Sequence, residues 1–381
     1  MISIVSKGSI RLAHLPKHLS QRAHNPYAKL NFNSLPACLD LNTTGSNLIQ
    51  TYHFSEKTEV RPVNKSLGSY LRAFSQITKV KLGVLNTFVT FTTYLIKGGT
   101  VCLFDCTMLA AATQMMAMSS QTVNQIIEVE HDKAMKRTRS RPLPQGKFTK
   151  NQAWMIAGSL YAGSNLILGS MFPMSSVFVA NSIFWSYILC YTPMKRTSEL
   201  NTPVGAVIGS LTAYLGWAAA GGSMLSLTPF CIFFYTFSWQ FAHFYGILWT
   251  YKGDYNAAGF KMIQDAQKAC KIMKAALAGQ IASVAGIFHV GAIDPASAAL
   301  SLYLLYKFNY KPMKEFEKED TAANAKRLTI FSYIPFTTLF FLIYLNLCAK
   351  TFGFEKKMDE IFEKYLPKAL QRRPAKESDK K

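Results

Sequence analysis

The sequence predicts an all-α protein, a polytopic membrane bundle of about nine transmembrane helices. Three observations predict it. Apolar residues crowd into segments close to the ~20 residues needed to cross a bilayer. The connections between these segments alternate between short, charge-poor stretches and basic ones. Small residues recur inside the segments, as between Gly158 and Ser170, where they allow close helix packing in lipid.

The chain divides into four parts. Residues 1–39 contain no Asp or Glu and carry Lys7, Arg11, Lys17, Arg22 and Lys29 among Ser, Ala and Leu. This is the make-up of a mitochondrial transit peptide, and no uninterrupted apolar stretch supports a secretory signal instead. Residues 40–75 read as an irregular N-terminal segment. The membrane domain covers 76–350, with apolar segments at 80–97, 101–122, 153–172, 175–193, 203–220, 227–249, 272–290, 295–309 and 328–349. Residues 351–381 form a charged C-terminal tail with nine basic and six acidic residues.

The connections after the second, fourth, sixth and eighth segments hold the positive charge. They include Lys133, Lys136, Arg137, Arg139 and Arg141, then Lys195 and Arg196, then Lys252, Lys261 and Lys268, then Lys311, Lys314 and Lys318. With nine helices all four fall on one side. The positive-inside rule places that side and the N-terminus in the matrix of a mitochondrial inner-membrane protein.

Lys and Arg outnumber Asp and Glu by 42 to 21, for a net charge of +21. That balance suits nucleic acid, anionic lipid or an anionic substrate. Because the charge is split among short loops between apolar helices, nucleic acid is not the expected partner, and the lipid bilayer is. The seven cysteines are scattered singly, without the spacing of a disulfide framework or a structural zinc site.

The second segment continues past its apolar part. Asn124, Glu128 and Asp132 are spaced four and four, which sets three oxygen donors along one helical stripe. Such donors suit a hard divalent ion, Mg²⁺, which also takes phosphate oxygens. Carboxylates at a membrane helix end are expensive unless they have a partner or a task. Arg137 and Arg141 follow directly, and guanidinium forks bind phosphate oxygens bidentately. Metal-binding acids followed by arginines describe a diphosphate site. A second candidate half-site ends the sixth segment, where His243, Lys252 and Asp254 lie; Asp254 would be a second metal-binding pole at the same membrane level. An interfacial helix end paired with nearby Lys and Arg is the alternative for the acids. A hydrogen-bonded histidine inside a bundle is the alternative for His243.

The run N-x-x-x-E-x-x-x-D-x-x-M-x-R-T-x-x-R-P-L from Asn124 to Leu143 resembles the first motif of the UbiA membrane prenyltransferases, most closely their heme-farnesylating branch. Three other stretches agree: Tyr191 to Arg196; Asn201 to Gly209 with Gly216 and Trp217; and Trp239 to Phe244 with Asp254, Tyr255 and Gly259 to Met262. The resemblance covers residues 76–350. It implies nine helices, farnesyl diphosphate as donor, a heme (heme B) as acceptor, and Mg²⁺. It makes Asn124, Glu128, Asp132 and Asp254 metal ligands and Arg137, Arg141 and Lys252 diphosphate-binding catalytic residues. Tyr191, Lys195, Arg196 and His243 become substrate-binding residues, with the cations divided between diphosphate and heme propionates in a way the sequence leaves open. His243 would be an axial ligand, a propionate donor or an orienter of water. The second motif departs from the family pattern, because Gly253 precedes Asp254 where an acidic or polar residue is common.

Two other functions compete. An aromatic prenyltransferase of quinone synthesis would share the diphosphate machinery but shows a fuller aspartate-rich second motif. A membrane carrier or assembly factor would show internal repeats with broken helices near the midplane. The sequence shows no convincing repeat, and its ionisable residues gather at one face.

Overall fold

The computed structural model describes residues 66–98 and 102–351. The expected leader at 1–39, residues 40–65 and residues 352–381 of the tail lie outside the described residues. All regular structure among the described residues is helical: α1 Leu67–Ile77, α2 Val80–Ile96, α3 Leu103–Ile127, α4 Val129–Ala134, α5 Lys150–Met171, α6 Met174–Ser186, α7 Thr192–Thr197, α8 Asn201–Ser210, α9 Thr212–Ala219, α10 Leu227–Thr250, α11 Lys252–Ala257, α12 Ala266–His289, α13 Pro295–Leu305, α14 Lys311–Lys318 and α15 Ala322–Thr351. Two π-helical turns, Tyr187–Tyr191 and Tyr306–Tyr310, join α6 to α7 and α13 to α14.

Among the described residues, each of the nine apolar segments falls mainly on helix. Three continuous helices are long and apolar enough to cross a membrane by themselves: Met174–Thr197, Ala266–His289 and Ala322–Thr351. The others are shorter, broken as at Leu211 between α8 and α9, or carry polar side chains such as Gln121, Asn124 and Gln125 at the end of α3. Large apolar side chains also face outward, among them Leu166 at 73% and Phe178 at 72% exposure, which suits a hydrocarbon surround.

Local chemistry sets the helix ends. Thr149 and Gln152 form a reciprocal capping box that starts α5. Asp265 caps α12 through the backbone N–H groups of Gln267 and Lys268, and Asp294 caps α13 ahead of Pro295. The stretch expected to be irregular is helical over 67–75. Ser66 caps α1, and Ala73 and Ile77 bury against Ile126, Val129 and Phe148, a long-range packing that local composition does not announce. Helix α9 lies hard against α2: a Cβ on Gly216 would sit 1.8 Å from the Thr90 carbonyl oxygen, so only glycine permits the approach.

The order of elements repeats. In the first half α3 is followed by the six-residue α4, then α5, α6, a π-turn and α7. In the second half α10 is followed by the six-residue α11, then α12, α13, a π-turn and α14. Both π-turns carry Tyr-x-x-x-Tyr-x-Pro-Met-Lys, ending at Lys195 and at Lys314. This corrects the sequence expectation of no repeat. The lipid-facing positions between the landmarks exchange one apolar residue for another freely, so little beyond the element order and this short motif is left to read.

Candidate active site

A cavity of about 430 Å³ runs between the two halves of the membrane domain. Its polar end is lined by Lys79, Gln121, Asn124, Glu128, Asp132, Arg137, Arg141, Tyr187, Tyr191 and Lys195. Its apolar end is lined by residues of α2, α8, α9, α10 and α15, including Val89, Ile208, Trp239, His243, Tyr333 and Phe336. Leu82 of α2 and Tyr333 of α15 line the cavity and are also 49% and 40% exposed, so it reaches the surface between these helices.

The stripe expected from sequence forms. Helical hydrogen bonds run from Glu128 N–H to Asn124 O at 2.9 Å and from Asp132 N–H to Glu128 O at 2.8 Å. They persist although the backbone at Glu128 bends away from ideal helix and divides α3 from α4. Each buried carboxylate holds one cation. Lys195 Nζ lies 2.9 Å from Glu128 Oε1, and Arg141 NH1 lies 2.8 and 2.7 Å from the two Asp132 oxygens. Lys79 Nζ donates to Gln121 Oε1 at 3.0 Å and Asn124 Oδ1 at 3.3 Å. Burial alone would push the Glu128 carboxyl up. The charge and hydrogen bond of Lys195, with Lys79 and Asn124 behind them, outweigh burial and hold it below the usual carboxylate range. Burial, reinforced by Arg141 and Lys195, drives the Lys79 ammonium well below its ordinary value.

The π-turn delivers the second wall. It brings Tyr187 OH to 3.2 Å from Gln121 Oε1 and sets Tyr191 beneath Lys195, whose Nζ is 4.6 Å from the ring centroid. Gly205 permits this placement, since a Cβ there would come within 2.6 Å of the Tyr191 ring. Arg137 occupies the rim. Its guanidinium lies 5.3 Å from the Tyr251 ring and 5.8 Å from the Tyr255 ring, and its NH2 donates to Tyr255 OH at 3.4 Å.

Of the residues singled out in the sequence, Asn124, Glu128, Asp132, Arg137, Arg141, Tyr191, Lys195 and His243 line this one cavity. Asp254, Lys252 and Arg196 are not among its lining residues. Asp254 Oδ2 accepts the backbone N–H of Arg137 at 3.0 Å and so tethers the arginine segment to α11. Lys252 Nζ turns to Gln264 O at 3.0 Å and lies over the Trp249 ring. Arg196 is exposed at the end of α7.

Sequence reasoning missed Lys79, Gln121 and Tyr187. Lys79 is the single described non-glycine residue with positive φ, 48°, and this left-handed link between α1 and α2 turns its side chain toward the polar end. The pair Lys79 and Lys81 at the start of an apolar run was the only signal for it.

Asn124, Glu128 and Asp132 together offer two carboxylates and an amide oxygen to one space, hard donors that fit Mg²⁺. Among the described residues no cluster of three or more His, Cys, Asp or Glu forms a cage. The set therefore suits a metal that completes its shell with substrate oxygens.

Residues 86–342 match the family described as the UbiA prenyltransferase family. The chain is 33% identical over 290 residues to the protoheme IX farnesyltransferase of Christiangramia forsetii, covering 74% of this chain and 95% of that protein. It is 33% identical over 203 residues to the mitochondrial protoheme IX farnesyltransferase of Arabidopsis thaliana, covering 51% of this chain and 45% of that one. Among solved structures, digeranylgeranylglyceryl phosphate synthase superposes with a TM-score of 0.59 at 14% identity, over 73% of this chain and 98% of that chain. A UbiA homolog from Archaeoglobus fulgidus bound to GPP and Mg²⁺ superposes with a TM-score of 0.51 at 12% identity, over 71% and 99%. These structural likenesses concern the fold.

Proposed function

Since this chain belongs to the UbiA prenyltransferase family, we propose that it transfers the farnesyl group of farnesyl diphosphate to a vinyl group of protoheme IX. It is a prenyl transferase. The observation that carries the reading is the cavity itself, with carboxylates and cations at one end and an aromatic, apolar wall with one histidine at the other. A diphosphate with an isoprenoid tail has the same polarity along its length, and a heme has an apolar face and ionic propionates. Relatives named protoheme IX farnesyltransferase, rather than quinone-pathway enzymes, favour heme over an aromatic acid as acceptor.

Asn124, Glu128 and Asp132 would hold Mg²⁺, which when bound neutralises diphosphate oxygens as a Lewis acid. Arg141 and Lys195 sit against these carboxylates and would hold the outer phosphate oxygens. Arg137 extends the cationic surface and Lys79 adds a hydrogen-bond donor, so charge developing on the leaving group would meet fixed donors. The isoprenoid chain lies along the apolar wall, which keeps water from the allylic cation until the new carbon–carbon bond is made.

Mitochondrial relatives from Arabidopsis thaliana and Yarrowia lipolytica and the leader-like first 39 residues support a mitochondrial inner-membrane location. The reading includes nine spans, with loops 133–150 and 252–270 on the matrix side. Cysteines introduced in either loop are then shielded from an impermeant thiol reagent added to intact mitoplasts; labelling of both contradicts it. The activity is tested by offering detergent-solubilised protein radiolabelled farnesyl diphosphate with heme or with 4-hydroxybenzoate. Label is expected in the tetrapyrrole, and label in the aromatic acid alone overturns the assignment.

A further inference from the structure

His243 lies at the apolar end of the cavity with both ring nitrogens engaged. Nδ1 is 3.2 Å from Ser332 Oγ, and Nε2 is 3.2 Å from Tyr333 OH. The Ser332 hydroxyl spends its proton on Thr329 O at 2.8 Å, so toward the imidazole it can only accept. Nδ1 therefore carries the ring proton, and Nε2 keeps its lone pair and receives the Tyr333 hydroxyl proton. The ring cannot turn away. It stacks on Trp239 with centroids 4.8 Å apart at 18°, and Trp239 is itself fixed by donating Nε1–H to Ser332 O at 2.8 Å. Ser332 is fully buried, whereas Tyr333 stands at the cavity mouth, 40% exposed. A fixed tautomer with an acceptor nitrogen facing a hydroxyl at the cavity mouth is more than packing requires.

We infer that His243 is the base that takes a proton from water through the Tyr333 hydroxyl in the last step of the reaction, with Ser332 as its positioning residue. The inference rests on heme as the acceptor. As the farnesyl C1–O bond breaks, its electron pair leaves on diphosphate. The π electrons of the vinyl group form the bond from its terminal carbon to C1, and the inner vinyl carbon becomes cationic. A water oxygen adds to that carbon, one of the water's protons passes to the Tyr333 hydroxyl oxygen, and the Tyr333 hydroxyl proton passes to His243 Nε2. The product is the hydroxyalkyl side chain, and the released proton balances the charge of the departed diphosphate. The Tyr333 hydroxyl, within hydrogen-bond distance of Nε2 and on the cavity lining, stands between the ring and the attacking water. Without the base the cation loses a proton from carbon instead and gives an alkene.

The test uses full-length protein in detergent with farnesyl diphosphate, magnesium and ferrous protoheme, reading tetrapyrrole products by mass spectrometry beside diphosphate release. His243→Ala is expected to lower the hydroxylated product at least about 10²-fold, the usual scale for a lost general base. The alkene fraction rises, while farnesyl diphosphate affinity holds. Added imidazole restores the hydroxylated product, which it would not do for a packing defect. Ser332→Ala, which keeps the ring packing, is expected to lower the hydroxylated fraction about fivefold to tenfold, the scale of one hydrogen bond, and Tyr333→Phe, which breaks the relay, by more. A product ratio equal to wild type in all three variants overturns the inference, as does a heme absorbance spectrum showing His243 bound to iron. Wild-type protein that yields no farnesylated tetrapyrrole overturns the acceptor assignment and this step with it.

Discussion

The two halves of the membrane domain put different side chains on the same backbone landmarks. Glu128 precedes the short helix α4, and Asp132 is its fourth residue; Tyr251 precedes the short helix α11, and Tyr255 is its fourth residue. In the first half these positions hold buried carboxylates, paired with Lys195 and Arg141. In the second they hold aromatic rings that flank the guanidinium of Arg137. The π-turns diverge in the same way. Lys195 reaches a buried carboxylate across the cavity, whereas Lys314 pairs with Glu317 of its own helix on the exposed surface. One scaffold thus carries an ionic half that can manage a diphosphate and an aromatic half that frames it. The chemistry follows from which half turns its acids inward, because a buried carboxylate is kept only with a partner or a task.

The largest expected effect lies in the ionic half. Glu128→Gln should slow farnesyl transfer by at least about 10²-fold, the scale of losing one group that acts on developing charge. Chelation of magnesium should do the same, and radiolabel transfer measures both. Arg137→Ala and Arg141→Ala come next. Each should weaken farnesyl diphosphate binding by about 2 kcal/mol, roughly 30-fold, and leave heme absorbance of the purified protein intact. Diphosphate titrations monitored beside the heme spectrum check this, and an equal loss of heme would show that the two arginines serve the acceptor.

A stability comparison sharpens the contrast. Removing one partner of a buried ion pair costs about 3–5 kcal/mol, so Glu128→Gln should lower Tm clearly. Lys314→Ala, which breaks an exposed pair, should leave Tm unchanged within error. Thermal unfolding in one detergent decides it. The smallest effects belong to Arg196→Ala and Lys252→Ala, whose side chains lie off the cavity; each should change kcat/KM less than about threefold, the surface-substitution scale. A tenfold loss at either would return it to the site.

The sequence made legible what local rules govern. Bilayer-length apolar runs mark the helices, and the four-residue spacing places Asn124, Glu128 and Asp132 together because helical hydrogen bonds survive the bend at Glu128. Arg137 and Arg141 were legible for the same reason, being a few residues away. What stayed hidden depends on contacts made across the chain. Asp254 reads as a metal ligand by its place in the second motif, and the tie of one of its oxygens to a backbone N–H 117 residues away is not visible locally. Lys79 depends on a left-handed backbone that composition does not signal. Ser332 and Tyr333 look like any polar positions in an apolar helix until α15 packs against α10 and brings them to His243. The repeat of the two halves is equally hidden, because five-residue π-turns and short helices carry almost no residue signature outside Tyr-x-x-x-Tyr-x-Pro-Met-Lys.

The division of labour between the halves is tested most directly by one matched pair of substitutions at equivalent positions. Single-turnover transfer from farnesyl diphosphate to heme should be measured for Asp132→Asn and Tyr255→Phe side by side, at saturating magnesium. The account predicts that Asp132→Asn is slower than Tyr255→Phe by at least about 10²-fold, since only the first removes a carboxylate from the diphosphate end. Equal rates in the two variants would contradict it.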